Sequence, residues 1–251
     1  MQLGLAGKVV LITGASRGIG AACARALAAQ GASVVINCLA SRDKADALLA
    51  EIVAAGGQGM VAQADVRKRA AVELMVQSAL ERFGRIDVLV NNANIHFPIK
   101  PFVQFAWDEI RQKVEGELES FYNCSQAVLG GMLERRSGKL ILISSSLSRW
   151  PGHGFSAHAA AKAALDSLGR VMALELGPQG IAVNVVAPGL TRTDATAFLP
   201  QTVHGQTAAL TPLRRVGLPD DVAGAVVYLA SDLSGFITGQ YFPVNGGISM
   251  L

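Results

Sequence analysis

Cysteine is scarce and unpatterned: Cys23, Cys38 and Cys124 are odd in number and scattered along the chain. That excludes a disulfide scaffold and a cysteine-ligated metal, so no metal site is expected, and it fits buried, reduced thiols in a cytoplasmic protein. Charge is thin as well. The 22 Lys+Arg against 19 Asp+Glu give a net +3, with no basic run beyond pairs such as Arg135-Arg136, which argues against a nucleic-acid partner. No apolar run approaches the roughly 20 residues of a membrane span. Near the N-terminus "VVLI" is too short for the core of a signal peptide and leads into a glycine loop, so it reads as a strand. Linkers, low-complexity stretches and repeats are lacking. One domain over residues 1–251 is expected.

What is abundant is apolar surface: 51% of the residues are hydrophobic and the mean hydropathy is +0.36. Such a chain supports a large core and further burial against copies of itself. Short β-branched runs alternate with Ala/Leu-rich segments. The runs "KVVLITG", "SVVIN", "GMVAQAD", "IDVLVNNA", "GKLILISS", "IAVNVVAP" and "GQYFPVNGG" read as strands. Between them lie helical segments, including a long one after Trp107, one from about His158 to Leu176 and one at "PDDVAGAVVYLASD". Continuous apolar strands separated by helices predict an α/β fold: a single doubly wound Rossmann-type domain, its sheet mostly parallel with helices on both faces.

The first strand runs into "TGASRGIG", with glycines at 14, 18 and 20, and a helix follows at once. Glycines there permit a tight turn and close backbone approach, and the helix N-terminus offers unpaired N–H groups to a pyrophosphate. Further along come "ADV" at 64–66, "NNA" at 91–93, "ISSS" at 143–146, "AAAKAAL" at 159–165, "VNVVAPGLTRT" at 183–193 and "VNGG" at 244–247. In this order they resemble the short-chain dehydrogenase/reductase superfamily, in the branch of the 3-oxoacyl-(acyl carrier protein) reductases, over essentially the whole chain. The resemblance implies that Gly14, Ser16, Arg17, Gly18, Ile19 and Gly20 form a pyrophosphate turn. It also implies that Asp65 and Val66 hold an adenine, that Asn91 and Ala93 line the ribose side, and that Pro188, Gly189 and Thr193 wrap a nicotinamide. Asp65 alone would also suit a helix N-cap. The second strand ends "Asn37-Cys38-Leu39" without the acid usual for NAD, while Arg17 and Arg42 lie near, and Asn37 and Arg42 are candidate cofactor contacts. Two guanidiniums beside a 2′-phosphate favour NADP(H), although Arg42 also reads as an exposed helix-start residue.

The family's chemistry uses a tyrosine as proton donor, a lysine four residues later, a serine on the carbonyl and an asparagine in a proton relay. Lys162 and Ser145 match the lysine and serine. His158 stands at the tyrosine position, and none of Tyr122, Tyr228 and Tyr241 can replace it by register. Glu117 falls at the asparagine position and Asn94 follows "NNA" where glycine is expected. One turn apart, His158 and Lys162 share a helix face. Lys162 should lower the imidazole pKa and a nearby Glu117 oppose that; a value near neutrality would suit a general acid/base, with Glu117 as a candidate proton relay. Against this, an imidazole is shorter than a phenol, and His158 can equally be a filler of the old pocket.

The expected function is therefore an NADP(H)-dependent reductase of a small-molecule or carrier-bound carbonyl, such as a 3-oxoacyl thioester or polyketide-like ketone. The alternative is a weak or inactive subunit paired with a complete homologue, or else non-redox chemistry. A homotetramer, homodimer or hetero-oligomer is expected, with no membrane partner. A substrate lid is expected around residues 190–213, including His204, and Phe97, Trp150, Phe155 and Phe198 as well as His96 and His153 are candidates for the substrate mouth or for core and loop.

Overall fold

Seven apolar runs pair side by side into one sheet: β1 (Val9–Ile12), β2 (Ser33–Cys38), β3 (Gln58–Gln63), β4 (Val88–Asn91), β5 (Gly138–Ile143), β6 (Ile181–Pro188) and β7 (Tyr241–Val244). The computed structural model describes residues 3–250, so positions 1, 2 and 251 of the expected domain lie outside the described residues. The strand order is β3-β2-β1-β4-β5-β6-β7 and every pairing is parallel.

Alternate side chains enter two cores. Val10, Ile12, Ile36 and Val90 pack beneath α1 (Gly18–Ala28), α2 (Arg42–Ala54) and α7 (Pro219–Ala230). Val9, Leu11, Leu89 and Leu140 pack beneath α3 (Arg69–Phe83), α4 (Trp107–Glu134) and α5 (Ser156–Leu176). Burial on both faces explains why these strands lack polar alternation. Each buried Val or Leu contributes about 1.5–3 kcal/mol relative to exposure. The three cysteines are free and buried, and burial pushes the thiols of Cys23 and Cys124 up to about 12.

Strand order reverses between β1 and β4. Parallel sheets of this kind open a crevice there, beyond the carboxyl ends of the strands. Two boundaries differ from the sequence expectation. Helix α5 begins at Ser156, before His158, so the histidine sits inside the first turn. The segment expected to be a lid contains a 3₁₀ turn at Asp194–Thr196 and a further helix, α6 (Gln201–Leu210). Pro200 precedes that helix as its N-cap residue, where the missing N–H costs nothing. Among the described residues no helix is long and apolar enough to cross a membrane.

Candidate active site

The glycine turn is framed from both sides. Gly14 and Gly18 have φ of +60° and +57°, in the left-handed region that favours glycine. A Cβ at Gly20 would lie 2.6 Å from Asn92 Nδ2 and 2.8 Å from both Ala15 Cα and Gly14 O, so a side chain there displaces the turn. From β2, buried Asn37 accepts the Gly14 N–H through Oδ1 at 3.1 Å and donates through Nδ2 to the Ala62 and Ala64 carbonyls. From the β4 side, the Asn92 and Ala93 N–H groups donate to Thr13 Oγ1, both at 2.9 Å, and Asn92 Nδ2 donates to the Thr13 and Gly14 carbonyls. Thr13 and Asn92 lie within "TGASRGIG" and "NNA", but those stretches alone give them no role. Their role follows from β1 lying between β2 and β4.

Helix α1 starts at Gly18, behind Arg17 in extended backbone, with no side-chain cap and no acid in its first turn. Its leading N–H groups are therefore open to an anion. The residues fit a dinucleotide pyrophosphate: Gly14, Ser16, Arg17, Gly18, Ile19 and Gly20 would hold it. A Cβ on Gly18 would stand 3.5 Å from Thr193 Cγ2, which places the turn opposite the segment after β6. The cleft between them, of about 480 Å³, is lined by Gly18, Arg192, Thr193, Asp194 and Pro219. Pro188 ends β6, and Gly189 donates its N–H to the Val244 carbonyl at 3.0 Å.

The adenine side differs in detail from expectation. Asp65 is not the N-cap of α3, which is Lys68. Its Oδ1 accepts the Arg67 N–H at 3.0 Å, and Arg67 clamps the carboxylate with bonds of 2.9 and 2.8 Å. That guanidinium hydrogen bond holds Asp65 below its usual pKa. Val66 is buried, and Asn123 of α4 anchors the Val66 and Arg67 carbonyls. Asn91 lies 3.5 Å from Ser125 Oγ through its Nδ2. Asn37, placed by sequence among ligand-binding residues, turns inward to hold the glycine turn. Arg42 turns to Asp46 one helical turn on, at 2.8 Å. Lys44 instead lines a cleft with Ser16 and Arg17, and reaches across to Asp194 at 3.2 Å. Its position in the first turn of α2 was the only sequence signal for it.

Beyond β5, Ser145 precedes a 3₁₀ turn and its Oγ accepts the Leu147 N–H at 3.2 Å, which leaves the hydroxyl hydrogen free to donate. The Ser145 carbonyl accepts bonds from Ser148 Oγ and Tyr241 OH. On α5, Lys162 is buried and donates to the Ile143 carbonyl at 2.8 Å and to Glu117 Oε1. The other Glu117 oxygen accepts from Lys113 Nζ at 2.5 Å and from the Ile95 N–H at 3.3 Å. Lys113, fully buried on α4, also donates to Asn94 Oδ1 at 2.7 Å and the Ile95 carbonyl at 2.9 Å. His158 stacks on Phe97, centroids 4.7 Å apart at 17°, with Phe155 at its edge. Its Nδ1 is sealed from solvent without a partner. His96, His153, Trp150 and Phe198 are exposed, while His204 is buried in α6 with its Nδ1 unpartnered.

The charges of the cluster bear on the proton chemistry of His158 and Glu117. Burial, then the charges of Lys162 and Lys113, push the His158 imidazole down to about 3 against the opposing pull of Glu117, so it is neutral and not poised near pH 7. Glu117 is held ionised: burial alone would raise it, but the two ammonium groups win and hold it at about 2, far from the range that suits proton exchange near pH 7. Burial chiefly, with help from Lys162, lowers Lys113 to about 8 despite Glu117. Among the described residues no cluster of His, Cys, Asp and Glu could hold a metal.

Comparisons with known proteins agree with this architecture. The family model described as Enoyl-(Acyl carrier protein) reductase matches residues 14–249. The chain is 39% identical over 245 residues to the 3-oxoacyl-[acyl-carrier-protein] reductase FabG of Staphylococcus epidermidis, covering 97% of this chain and 99% of the relative. It is 40% identical over 247 residues to the 3-oxoacyl-[acyl-carrier-protein] reductase of a Synechocystis species, with 98% of each covered. A solved 7α-hydroxysteroid dehydrogenase, complexed with NADH and 7-oxoglycochenodeoxycholic acid, superposes with a TM-score of 0.93 at 34% identity, over 98% of this chain and 96% of that one. With the glycine turn, the parallel sheet and a Ser145–Lys162 frame already in place, these matches mean that the chain belongs to the short-chain dehydrogenase/reductase family.

Proposed function

We propose that this protein is an NADP(H)-dependent carbonyl reductase acting on a 3-oxoacyl thioester or a related ketone, free or carrier-bound. The observation that carries the reading is that Lys162, one turn after His158 on α5, reaches the Ile143 carbonyl at the end of β5, two residues before Ser145, while the uncapped, acid-free start of α1 follows the carboxyl end of β1 in the same parallel sheet. The nicotinamide, when bound, supplies hydride to the carbonyl carbon. Ser145 supplies a hydrogen bond to the carbonyl oxygen, because its Oγ already accepts from Leu147 and its own hydrogen is unassigned. Neutral His158 in its Nε2–H tautomer would supply a second donor for that oxygen. These fixed dipoles stabilise the alkoxide that hydride addition leaves, and the proton that completes the alcohol comes from water. Two of the three Lys162 hydrogens are committed to Glu117 and Ile143, leaving one for a ribose hydroxyl. The preference for the 2′-phosphate is based on Arg17 and Lys44, which line one cleft together with Asp194, the present partner of Lys44, and Glu51, and on the lack of an acid at the end of β2.

The neutral imidazole also favours the second reading, a weak or inactive subunit beside a complete homologue. One experiment separates them: NADPH oxidation with 3-oxoacyl thioesters by the wild type, His158→Ala and His158→Tyr. The reductase reading expects measurable turnover that falls about 10²-fold in His158→Ala. A wild type as slow as the alanine variant, with turnover restored by tyrosine, establishes the second reading. For cofactor choice, Arg17→Ala should weaken NADPH about tenfold and NADH hardly at all, the loss of a single charge-assisted phosphate contact; equal losses on both cofactors refute the preference.

A further inference from the structure

Lys113 belongs to none of the motifs, yet three departures from the family pattern meet through it. Asn94, in place of glycine, accepts one of its hydrogens at 2.7 Å; Glu117, in place of asparagine, accepts another at 2.5 Å; the Ile95 carbonyl takes the third at 2.9 Å. An ammonium has three hydrogens, so none is left for a substrate. Nζ also lies 5.0 Å from the centroid of the Phe97 ring, whose plane stacks on His158, in place of tyrosine. A cation over an aromatic face attracts it, most strongly when desolvated.

From this geometry we infer that Lys113 is a positioning residue of the active site, holding Lys162 through Glu117 and His158 through Phe97. It rests on the reductase reading only for its kinetic consequence. The two paths start from one side chain that is fully buried, so a single lysine couples the loop after β4, the middle of α4 and the catalytic face of α5. The same cluster sets charge. Lys113 and Lys162 face one carboxylate, Glu117, which leaves one excess positive charge beside a neutral imidazole, the balance that suits an oxygen gaining negative charge. The remaining charged groups around it are already paired: Glu109, one turn earlier on α4, with Lys100, and Arg67, which packs near Gly116, with Asp65. His158 on α5 is the other titratable group that feels it.

The test reads His158 directly by NMR of its ring C–H resonances from pH 7 down to about 2, a window that spans the wild-type midpoint of about 3, in the wild type, Lys113→Met and Lys113→Arg. In Lys113→Met the imidazole should gain a proton at a pH about one unit or more higher than in the wild type, through loss of one facing cation. Lys113→Arg, which keeps the charge, should restore most of the shift. An unmoved midpoint in folded Lys113→Met, shown folded by circular dichroism, overturns the inference. A reading that needs no variant is a contact between a lysine ε-methylene and the Phe97 ring in the wild type, and its absence also overturns it. If turnover exists, Lys113→Met should lower kcat about tenfold or more with KM for NADPH within about threefold; the reverse split counts against it. A chain with no turnover in any form refutes the reductase reading and leaves the NMR result to decide Lys113.

Discussion

An unfolded chain protonates His158 near pH 6.5, whereas the folded ring, buried against Phe97 and facing two ammonium groups, resists until about pH 3. Between those values the unfolded state binds the extra proton, so stability declines as pH falls, by at most about 1.4 kcal/mol per pH unit from this group. Glu117 acts in the same direction over a lower window. Its contribution is present above pH 4.5 and is lost as pH falls toward 2. His158→Gln preserves a polar side chain without a titrating ring. Urea unfolding at pH 7, 6 and 5 should show the wild type losing stability across this range and the glutamine variant losing distinctly less. Equal losses would mean that His158 ionises freely in the folded protein. At this scale the sequence exposed the histidine and its lysine, because a fixed spacing on one helix needs no tertiary knowledge. It concealed Lys113, whose meaning depends on Asn94, Ile95 and Phe97 being folded against α4.

The turn between β1 and α1 was legible as an element for a local reason: Gly14 and Gly18 need positive φ, and Gly20 has backbone pressed against its missing Cβ. Gly20→Ala should therefore abolish NADPH binding in a fluorescence titration while the sheet, followed by circular dichroism, persists. Retained affinity within about threefold of wild type would show that the turn has room the structure denies. What frames the turn was not legible. Asn37 looked like a ligand residue at a strand end, but the β2-β1-β4 order places its amide under Gly14, between the Ala62 and Ala64 carbonyls. Asn37→Ala strips three backbone groups of a partner and should destabilise the fold by about 1–3 kcal/mol or more, seen as a lower urea midpoint. A neutral effect on stability with weaker NADPH binding would return Asn37 to the ligand. Helix α6 escaped for the opposite reason. A proline before it and Gly205 within it break the local signal, and a single residue of it, His204, is buried to give an apolar stripe.

Across the whole molecule, the high apolar content goes first into a sheet covered on both faces, which the alternation of strands and helices announced and the seven parallel strands bear out. It is not all used there. Helix α5 exposes Leu168, Val171 and Leu174 at 39%, 49% and 79%, three residues apart, and neighbouring α4 exposes Tyr122 at 53%. Beyond α7, Phe236 is fully exposed. Scattered apolar side chains on a surface need no explanation, but a helical stripe of them does. The same α5 carries His158 and Lys162 on its inner side, so association along its outer side would stiffen the catalytic face. Light scattering should give a mass at a multiple of the 26.1 kDa chain, and a Val171→Glu/Leu174→Glu variant should dissociate toward the single chain with a lower unfolding temperature. A wild type that is monomeric at micromolar concentration would leave the stripe without a role in assembly. A variant that stays assembled would move the interface to another face, with Phe236 as the next residue to change.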